Sequence, residues 1–502
     1  AYAKVISVGK DNYASNLIKE ATSINDNSSY LQSTINKILK IITFLIVPVG
    51  ILLFISQYFS SGQSYNEAIL STVAGIIGMI PEGLVLLTSI ALTAGVVKMA
   101  KKNVVIERLH GIEILSCVDV LCLDKTGTIT DGTMEVVDLI KLTEKEDIEN
   151  IIANINTEEA NNSTDKALKK KYGVKDSLKV EERIPFSSAK KCSTTIIEGV
   201  KYYLGALEYI TNKNISDYEV LDKYVKKGYR IITLAKEKNT LEILAFVIIK
   251  DNIRPTAGDT LRYFKEQSVE IKIISGDNPS TVSNILKQLD FEGYDRYIEG
   301  KDLPNDYNEL QKVVKEKTIF GRMTPIQKQM VIKALKEENT VGMIGDGVND
   351  ILALKEADCG IALGSGVSAA RSVSDVVLKT DDFAVLPSIV NEGRRVVNNI
   401  ERVASMYLIK TTYSFLLCLL SIGLSHEYPF YPIQLSLISA TCVGIPSFFL
   451  ALEPNYNKVG KDFLMKVFKN AVPNGITVVL NIFIIIMFCS IFNKSFESYR
   501  LV

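Results

Sequence analysis

The feature that most constrains this chain is the placement of its long uncharged runs, which lie towards both ends and leave a charged stretch between them. Hydrophobic residues make up 47% of the 502 residues, and they are concentrated in these runs. A bilayer span needs roughly 20 apolar residues, and each run is long enough to qualify. The sequence therefore predicts a membrane protein with a large water-facing insert.

Five membrane helices are expected, two before the insert and three after it. Their expected positions are 40–67, 68–97 with a break at Ile-Pro-Glu-Gly, from about 402 onward, 428–452 and 474–492. Lysines and arginines flank them on one side, in KMAKKN, in GRRVVNNIER and between 458 and 469. The positive-inside rule therefore predicts a cytoplasmic insert.

Charge and cysteine usage argue against several function classes. The 57 basic residues balance 57 acidic ones, so no global field would recruit nucleic acid, and no nucleic-acid partner is expected. The seven cysteines form no CxxC pair, which argues against a structural zinc site or a thiolate pathway for heavy metals. The scattered cysteines are expected to be free thiols that face a reducing cytoplasm.

The insert, about 101–395, alternates short apolar strands with amphipathic stretches. The predicted buried strands are VDVLCLD, VEIKIISGD, TVGMIGDG and CGIALG, and TPIQKQMVIKALKEE is predicted to be helical. This alternation predicts a parallel α/β sheet with its site at the carboxyl ends of the strands. A polar block rich in Lys and Glu at 138–250 is interpreted as a domain inserted after the first strand and its loop.

The stretch LCLDKTGTIT places Asp124 at the end of the first predicted strand. The glycine and hydroxyls that follow can bring backbone N–H groups close to a phosphate. A carboxylate there can attack a phosphoryl group and form an acyl phosphate. Taken alone, such an aspartate would be interpreted as a residue that caps a turn.

Other chemistry-bearing groups are expected at the same edge of the sheet. Ser275, Gly276 and Asp277 end a second strand, GDGVND at 345–350 ends another, and Lys328 lies on the helix opened by Thr324 and Pro325. The lysine supplies positive charge for the phosphoryl oxygens, and the hydroxyl can hydrogen-bond to them. The acidic pair supplies oxygen ligands for Mg²⁺. The combination predicts phosphoryl transfer.

Four motifs occur in a fixed order along the chain: DKTGTIT, DNIRP at 251–255, SGDN at 275–278 and GDGVND. By these motifs the chain resembles the P-type ATPases, and the resemblance covers nearly its whole length. The resemblance implies a multidomain α/β fold with transmembrane α-helices. Its phosphorylation domain would be a haloacid-dehalogenase-like parallel sheet that carries an inserted α+β nucleotide-binding domain. It also implies that ATP phosphorylates Asp124 to move a cation across a lipid bilayer, with a bacterial plasma membrane as the expected location.

The resemblance sets the expected domain boundaries. They are 1–36 for the end of an actuator domain and its linker, 37–100 for two membrane helices, 101–137 and 251–395 for the two parts of the phosphorylation domain, 138–250 for the nucleotide-binding domain, and 396–502 for three membrane helices. No TGES-like loop occurs in the sequence. We therefore expect a chain truncated at both ends that is phosphorylated but turns over poorly.

The family's catalytic residues carry over to matching positions. Asp124 would be phosphorylated, and the residues expected around the phosphate are Lys328, Thr128, Ser275, Gly276 and Asp277. The expected Mg²⁺ ligands are Asp124, Thr126 through its carbonyl, Asp346, Asn349 and Asp350. Related hydrolases have a second carboxylate where this chain has Thr126, so the acyl phosphate is expected to live long enough to drive another process.

IPFSSAKKCS at 184–193 resembles the family's adenine-binding stretch, with Phe186 as a stacking face and Lys191 as a nearby cation. Core packing is the alternative for Phe186. The other residues assigned to the nucleotide are Gly205, Arg230 and Arg254. The family's Lys-Gly-Ala motif has Leu204 in place of its lysine, so the usual lysine contact is not expected.

In the second span, Pro81 and Gly83 flank Glu82. An unwound turn there would free backbone carbonyls beside a carboxylate, which together make a cation site. A kinked helix with a glutamate that reaches the headgroups is the alternative. PEGL resembles the motif of calcium-transporting members, so Ca²⁺ is favoured, while Mg²⁺, Mn²⁺, monovalent ions and protons stay open.

The other expected cation ligands are Thr411, Ser414 and Ser439. Lys410 lies beside them and is interpreted either as an internal countercharge or as a lysine that reaches the headgroups. A membrane-tethered phosphatase, a non-transporting remnant and a lipid flippase remain as competing functions. Thr126 and the nucleotide block argue against the first, and Glu82 argues against the last.

Overall fold

The structure is a computed structural model. It describes residues 30–159, 162–187, 190–211, 215–225, 227–460 and 462–491. Residues 1–29, where most of the expected end of an actuator domain falls, lie outside the described residues.

The described strands, numbered in chain order, are β1 (Val104–Ile106), β2 (Val120–Leu123), β3 (Thr130–Lys141), β4 (Val180–Ser187), β5 (Cys192–Ile197), β6 (Val200–Gly205), β7 (Arg230–Glu237), β8 (Leu241–Ile253), β9 (Glu270–Ile274), β10 (Tyr297–Glu299), β11 (Ile319–Gly321), β12 (Val341–Gly345), β13 (Cys359–Leu363) and β14 (Val376–Leu378). The described α-helices are α1 (Tyr30–Ile55), α2 (Tyr65–Met79), α3 (Glu82–Ala100), α4 (His110–Ser116), α5 (Ile148–Ile155), α6 (Ser163–Tyr172), α7 (Leu207–Ile210), α8 (Glu219–Val225), α9 (Ala257–Glu266), α10 (Pro279–Gln288), α11 (Tyr307–Glu316), α12 (Pro325–Lys336), α13 (Ile351–Glu356), α14 (Ser368–Val373), α15 (Leu386–Leu424), α16 (Pro432–Ile438), α17 (Ile445–Leu452) and α18 (Phe463–Ile491).

The described chain divides into two compact units. The catalytic unit contains Val118–Leu386, and the membrane unit contains 30–117 together with the described part of 387–491. The division follows the sequence, because the charged middle of the chain forms the first unit and the apolar ends form the second.

A parallel sheet forms the centre of the catalytic unit. Its strands follow the order β14-β13-β12-β2-β9-β11-β10, and all six neighbouring pairs are parallel. β2, β12 and β13 are buried along their whole length, as expected for strands covered on both faces. β2 lies between β12 and β9, so the chain segments that follow these three neighbours leave the sheet at one edge. The predicted α/β sheet is confirmed.

An antiparallel sheet with the strand order β3-β8-β7-β6-β5-β4 is inserted after β2. Its first strand starts at Thr130 and pairs there with Ile253, at the end of β8. The boundaries expected at 138 and 250 therefore lie inside β3 and β8. Most exposed side chains of β3 are polar, from Asp131 near its start onward, so a composition shift does not coincide with the start of the strand.

Among the described residues of the chain, five helical segments are long and apolar enough to cross a membrane. They are α1 with the π-helical turn that follows it, α2 with α3, α15, α16 with α17, and α18. Two precede the catalytic unit and three follow it, as predicted. The third starts earlier than expected, at Leu386 rather than near Arg402, because GRRVVNNIER continues the same helix. The predicted break in the second segment is found between Met79 and Glu82.

Candidate functional site

Asp124 directly follows β2, and the loop after it is shaped to expose its carboxylate. The backbone N–H of Thr126 donates to Asp124 Oδ2 over 3.2 Å. Gly127 has a φ of +74°, and a Cβ there would lie 2.4 Å from Asp346 Oδ2. Only glycine can therefore let this loop approach Asp346 so closely.

Lys328 joins the strand end of Asp124 to the acidic motif. It lies on α12, whose first turn is closed by a capping box between Thr324 and Gln327. Its Nζ donates to Asp124 Oδ1 over 2.9 Å and to Asp350 Oδ1 over 2.6 Å. Burial lowers the pKa of Lys328, but the carboxylates of Asp350 and Asp124 outweigh this and raise it above its ordinary value. The lysine therefore stays charged.

The acidic motif follows β12 and completes a cluster of carboxylates. Asp124, Asp346 and Asp350 each place an oxygen within 4.8 Å of the others. The backbone N–H of Gly347 donates to Asp350 Oδ2 over 3.1 Å and holds that carboxylate in place. Asn349 lies in the same turn but is exposed, so the structure does not bring its side chain into the cluster.

The cluster fits a divalent cation. Burial, followed by the charge of Asp350, raises the pKa of Asp346 to about 6. Burial also raises the pKa of Asp124, although Lys328 opposes this. Like-charged oxygens that are costly to ionise together are stabilised by a bound cation, and hard oxygen ligands suit Mg²⁺. Asp124, Asp346 and Asp350 are therefore the residues that would hold Mg²⁺.

Ser275, Gly276 and Asp277 follow β9 at the neighbouring strand end. Ser275 is buried, and its hydroxyl accepts the N–H of Asp277 over 3.2 Å. Gly276 has open space around its Cα, so a ligand can approach its backbone. The Asp277 carboxylate contacts Lys125 and lies 3.5 Å from Arg230. Burial raises the pKa of Asp277, but Lys125 outweighs it and holds that pKa below its ordinary value.

Lys125 is a buried residue of this site that the sequence analysis did not single out. It is almost fully buried, and its Nζ donates to Asp251 Oδ2 over 2.9 Å in addition to its contact with Asp277. Lys125 therefore ties the loop after Asp124 to both β8 and the end of β9. A lysine directly after a strand-ending aspartate was a signal for this role, because it must find a countercharge when buried.

Thr128 and Arg254 show two further features of this loop. The Thr128 hydroxyl is buried, and in the described part of the chain it has no hydrogen-bond partner. Such a hydroxyl is free to bind an incoming phosphoryl oxygen. Arg254, expected at the nucleotide, instead donates to the carbonyls of Gly127 over 2.7 Å and Thr128 over 3.0 Å. Its guanidinium therefore holds the loop that follows Asp124 in this structure.

A cavity of about 640 Å³ lies against the inserted antiparallel sheet. Phe186 lines it and is 47% exposed, so it is not a core residue here. Leu204, which stands in place of the family's lysine, also lines the cavity and is otherwise buried in the hydrophobic core of the sheet. The cavity can present one aromatic face to a flat ligand.

The other residues expected at the nucleotide lie in two places. Gly205 faces the backbone of Lys191, because a Cβ there would lie 2.4 Å from the Lys191 carbonyl oxygen. Lys191 itself is exposed. Arg230 begins β7 and is paired with Asp277 rather than with a cavity residue. The residues assigned to the nucleotide therefore lie in two places in this structure, and their assignment stays a prediction.

In the membrane unit, the break between α2 and α3 has a specific backbone geometry. Ile80 is extended and Pro81 is non-helical, with φ −83° and ψ 66°. The last carbonyls of α2 consequently lack the helical partners that a continuous helix would supply. Glu82 begins α3, is exposed in the described bundle, and interacts electrostatically with Lys410 and Tyr407.

The expected cation ligands on α15 and at the end of α16 have different partners. Lys410 is 3% exposed, and its Nζ donates to Ser439 Oγ over 2.7 Å. Thr411 donates to the Tyr407 carbonyl over 3.2 Å. Ser414 is fully buried, and within the described residues its hydroxyl has no partner. Lys410 therefore points into the protein and does not reach for the headgroups.

Comparisons with known proteins agree with this geometry. A family model described as haloacid dehalogenase-like hydrolase matches residues 118–358. "Calcium-transporting ATPase CtpE" of Mycolicibacterium smegmatis is 37% identical over 497 residues, which covers 95% of this chain and 62% of that protein. "Probable cation-transporting ATPase exp7" of Streptococcus pneumoniae is 36% identical over 512 residues, which covers 97% and 65%. The chain thus spans just under two thirds of the length of these relatives.

Among solved structures, a zinc-transporting PIB-type ATPase in an E2·Pi state has the same fold. Its TM-score is 0.67 at 19% sequence identity, and the match covers 89% of this chain and 68% of that one. The catalytic unit is thus a haloacid dehalogenase-like hydrolase domain. The relatives align with both units of this chain, which therefore belongs to the P-type ATPase family. It is a multi-pass membrane protein.

Proposed function

We propose that this protein uses ATP to move a cation across a membrane through a phosphorylated Asp124. The observation that carries the proposal is the convergence of Asp124, Lys328, Asp346 and Asp350 at one edge of the parallel sheet. A nucleophile, a fixed positive charge and a set of metal ligands are what in-line phosphoryl transfer requires.

In the proposed reaction, a carboxylate oxygen of Asp124 attacks the γ-phosphorus of ATP. A new O–P bond forms while the bond to the bridging oxygen of ADP breaks, and ADP leaves with that electron pair. Lys328 is in place to neutralise charge on the transferred group because it already contacts Asp124 over 2.9 Å. Mg²⁺, when bound, would supply a Lewis acid for the phosphoryl oxygens.

The loop residues around Asp124 favour a long-lived intermediate. Thr128 offers a buried hydroxyl, and Gly276 offers an accessible backbone. Thr126 has no carboxylate that could activate water at the acyl phosphate. The aspartyl phosphate would therefore persist until another part of the protein admits water. This is the property that separates a pump from a phosphatase.

The cavity beside Phe186 is the proposed nucleotide site. Its volume of about 640 Å³ suits a nucleoside, and the exposed ring of Phe186 offers a stacking face. Arg230 lies at the start of β7, in a strand of the same sheet, and would reach the phosphates when it leaves Asp277. Arg254 is proposed to act through the loop that it holds.

Ca²⁺ is the proposed cargo. Two observations support it: Glu82 stands at a break that frees carbonyl oxygens, and the relative from M. smegmatis is named a calcium-transporting ATPase. Thr411, Ser414 and Ser439 are the remaining candidate oxygen ligands. The set contains one carboxylate beside a buried lysine, so Lys410 is proposed to act as an internal countercharge that takes the place of a second cation.

The location that fits these relatives is a bacterial plasma membrane with the catalytic unit in the cytoplasm. The support is the bacterial origin of both relatives and the position of the lysines and arginines that flank the membrane helices.

The test is acid-stable ³²P incorporation from labelled ATP into membranes that contain the protein, with Ca²⁺, Mn²⁺, Mg²⁺ and K⁺ varied in turn. We expect label that requires Ca²⁺, is lost in Asp124→Asn, and loses its Ca²⁺ dependence in Glu82→Gln. Labelling that does not depend on any of these ions and is unchanged in Glu82→Gln would overturn cation transport. It would favour a flippase or a non-transporting remnant. Release of phosphate without a labelled intermediate would favour a phosphatase.

A further inference from the structure

Two glycines on either side of the break between α2 and α3 pack directly against α15. A Cβ added to Gly83 would lie 1.8 Å from the Tyr407 hydroxyl oxygen, and a Cβ added to Gly78 would lie 2.4 Å from the Ser414 hydroxyl oxygen. No side chain fits at either position without displacing its neighbour. We call these the inner contact (Gly83 with Tyr407) and the outer contact (Gly78 with Ser414).

The two contacts enclose one position on α15. Tyr407, Lys410 and Ser414 follow one another at i, i+3 and i+7, so they share a face of the helix. Lys410 therefore lies between the contacts along the helix axis, about 4.5 Å from the level of Tyr407 and about 6 Å from that of Ser414. The unwound residues Ile80 and Pro81 lie between the same two glycines in the sequence.

The side chains that form the contacts are buried, and one of them lacks a partner. Tyr407 is 7% exposed and Ser414 is 0% exposed. The Ser414 hydroxyl lies against Gly78 and makes no hydrogen bond within the described part of the membrane unit. A buried hydroxyl usually has a partner because leaving it unpaired costs stability. The Ser414 hydroxyl oxygen, at the level of the outer contact, is therefore available to bind a passing cation.

We propose that the inner and outer contacts are the two closures of the cation pathway, one on each side of Lys410. The inference rests on the proposed transport function and adds the residues that control access. Tyr407 on Gly83 closes the path from the cytoplasmic side, because α15 enters the membrane from that side and Tyr407 precedes Lys410. Ser414 on Gly78 closes it from the opposite side.

The test measures access to the enclosed position directly and does not require phosphorylation. Lys410→Cys serves as the probe in sealed right-side-out and inside-out vesicles, and a charged, membrane-impermeant methanethiosulfonate reagent is added outside. Modification rates are corrected with vesicles that lack the Lys410→Cys change, because the protein has other cysteines. Gly83→Ala and Gly78→Ala are each combined with the probe.

Gly83→Ala is expected to speed modification at least tenfold from the cytoplasmic face alone, and Gly78→Ala from the opposite face alone. Tyr407→Ala, which removes the inner contact instead of wedging it, should act on the same face as Gly83→Ala. Gly423→Ala is the matched control, because a Cβ at this α15 glycine meets nothing within 4 Å. It should change neither rate.

Equal acceleration from both faces would show general loosening and overturn the assignment of two closures. No acceleration in either alanine variant would overturn it as well. The proposed function fails by a different result, the absence of cation-dependent label on Asp124, so the two failures are distinguishable.

Discussion

Lys328 in the catalytic unit and Lys410 in the membrane unit are both almost fully buried, yet they have opposite surroundings. Lys328 contacts two carboxylates over 2.9 and 2.6 Å, whereas Lys410 donates to a serine hydroxyl over 2.7 Å. A buried charge is costly unless a countercharge compensates it. Lys328 is compensated within its site, whereas Lys410 depends on the more distant Glu82.

The comparison shows how far each site is assembled. Around Lys328, Asp124, Asp346 and Asp350 place oxygens within 4.8 Å of one another and two of these carboxylates contact the lysine, so that site is pre-organised. Around Lys410, Thr411 donates to the Tyr407 carbonyl, the Ser414 hydroxyl has no partner among the described residues, and Glu82 is exposed, so the candidate ligands do not converge. The membrane site would therefore have to rearrange when a cation binds. Four predictions test this contrast, in order of decreasing effect.

Lys328→Ala should abolish the label on Asp124, by at least 100-fold, because it removes the charge that stabilises the transferred group. It should also lower the unfolding free energy by about 3–5 kcal/mol, since it leaves the buried carboxylates of Asp124 and Asp350 without the lysine ammonium that compensates their charge. The measurements are ³²P incorporation and thermal unfolding of the purified protein. Lys333→Ala, an exposed lysine on the same helix, is the control. Equal behaviour of the two variants would refute the role of Lys328.

Lys410→Met should instead preserve stability, because a buried ammonium is replaced by an apolar chain of similar length. Removing a positive charge beside Glu82 should lower the Ca²⁺ concentration for half-maximal labelling roughly tenfold. Calcium titration of phosphoenzyme formation checks this, with the exposed Lys469→Met as the control. An unchanged calcium requirement would rule out an internal countercharge.

Mg²⁺ affinity should fall as the pH falls through 6. The pKa of Asp346 is raised to about 6 in the folded protein, so its carboxylate takes up a proton below that pH and the proton competes with the metal. The apparent affinity should drop by at least about tenfold for each pH unit below 6, because Asp124, whose pKa is raised to about 7, also takes up a proton there. Calorimetric Mg²⁺ titrations between pH 5 and pH 8 measure this. Asp346→Asn should bind weakly at every pH, and a flat profile in the unaltered protein would contradict the assignment.

Phe186→Ala should have the smallest effect, because it lies outside both lysine sites. Loss of a stacking face worth about 0.5–1.5 kcal/mol should weaken ATP binding roughly threefold to tenfold. Competition between labelled and unlabelled nucleotide measures the change. Tyr209→Ala, an exposed aromatic residue that does not line the cavity, is the matched control. Equal affinities in the two variants would place the base elsewhere.

The fold and the main site were predictable because the informative residues are local in sequence. Each predicted strand is an apolar run that ends in a polar residue, and neighbouring ends of a parallel sheet must meet at one edge. Asp124 and Asp346 therefore come together wherever the sheet forms. Lys328 was predictable for a similar reason, because its helix begins at a clear capping signal, Thr324-Pro325.

Partners joined across long separations were not predictable. Lys125 and Asp251 are 126 positions apart, and Arg254 reaches back 127 positions to Gly127. No local pattern indicates which buried charge will meet which carbonyl or carboxylate. The pairing of Lys410 with Ser439 has the same cause, because it depends on how two membrane helices pack. The sequence thus predicted which residues meet at the strand ends more reliably than it predicted their partners across the chain.

The antiparallel sheet is connected to the rest of the catalytic unit at one place, where Thr130 pairs with Ile253. Adjacent strands lie about 5 Å apart, so excising everything between these residues would leave two ends that one or two residues could bridge. The antiparallel sheet is therefore an inserted domain whose two ends are adjacent, so it can be exchanged without changing the parallel sheet. Because the proposed nucleotide site lies in this inserted domain, exchange of the domain, in evolution or by engineering, would change the nucleotide that the protein binds. The parallel sheet and Asp124 would stay as they are.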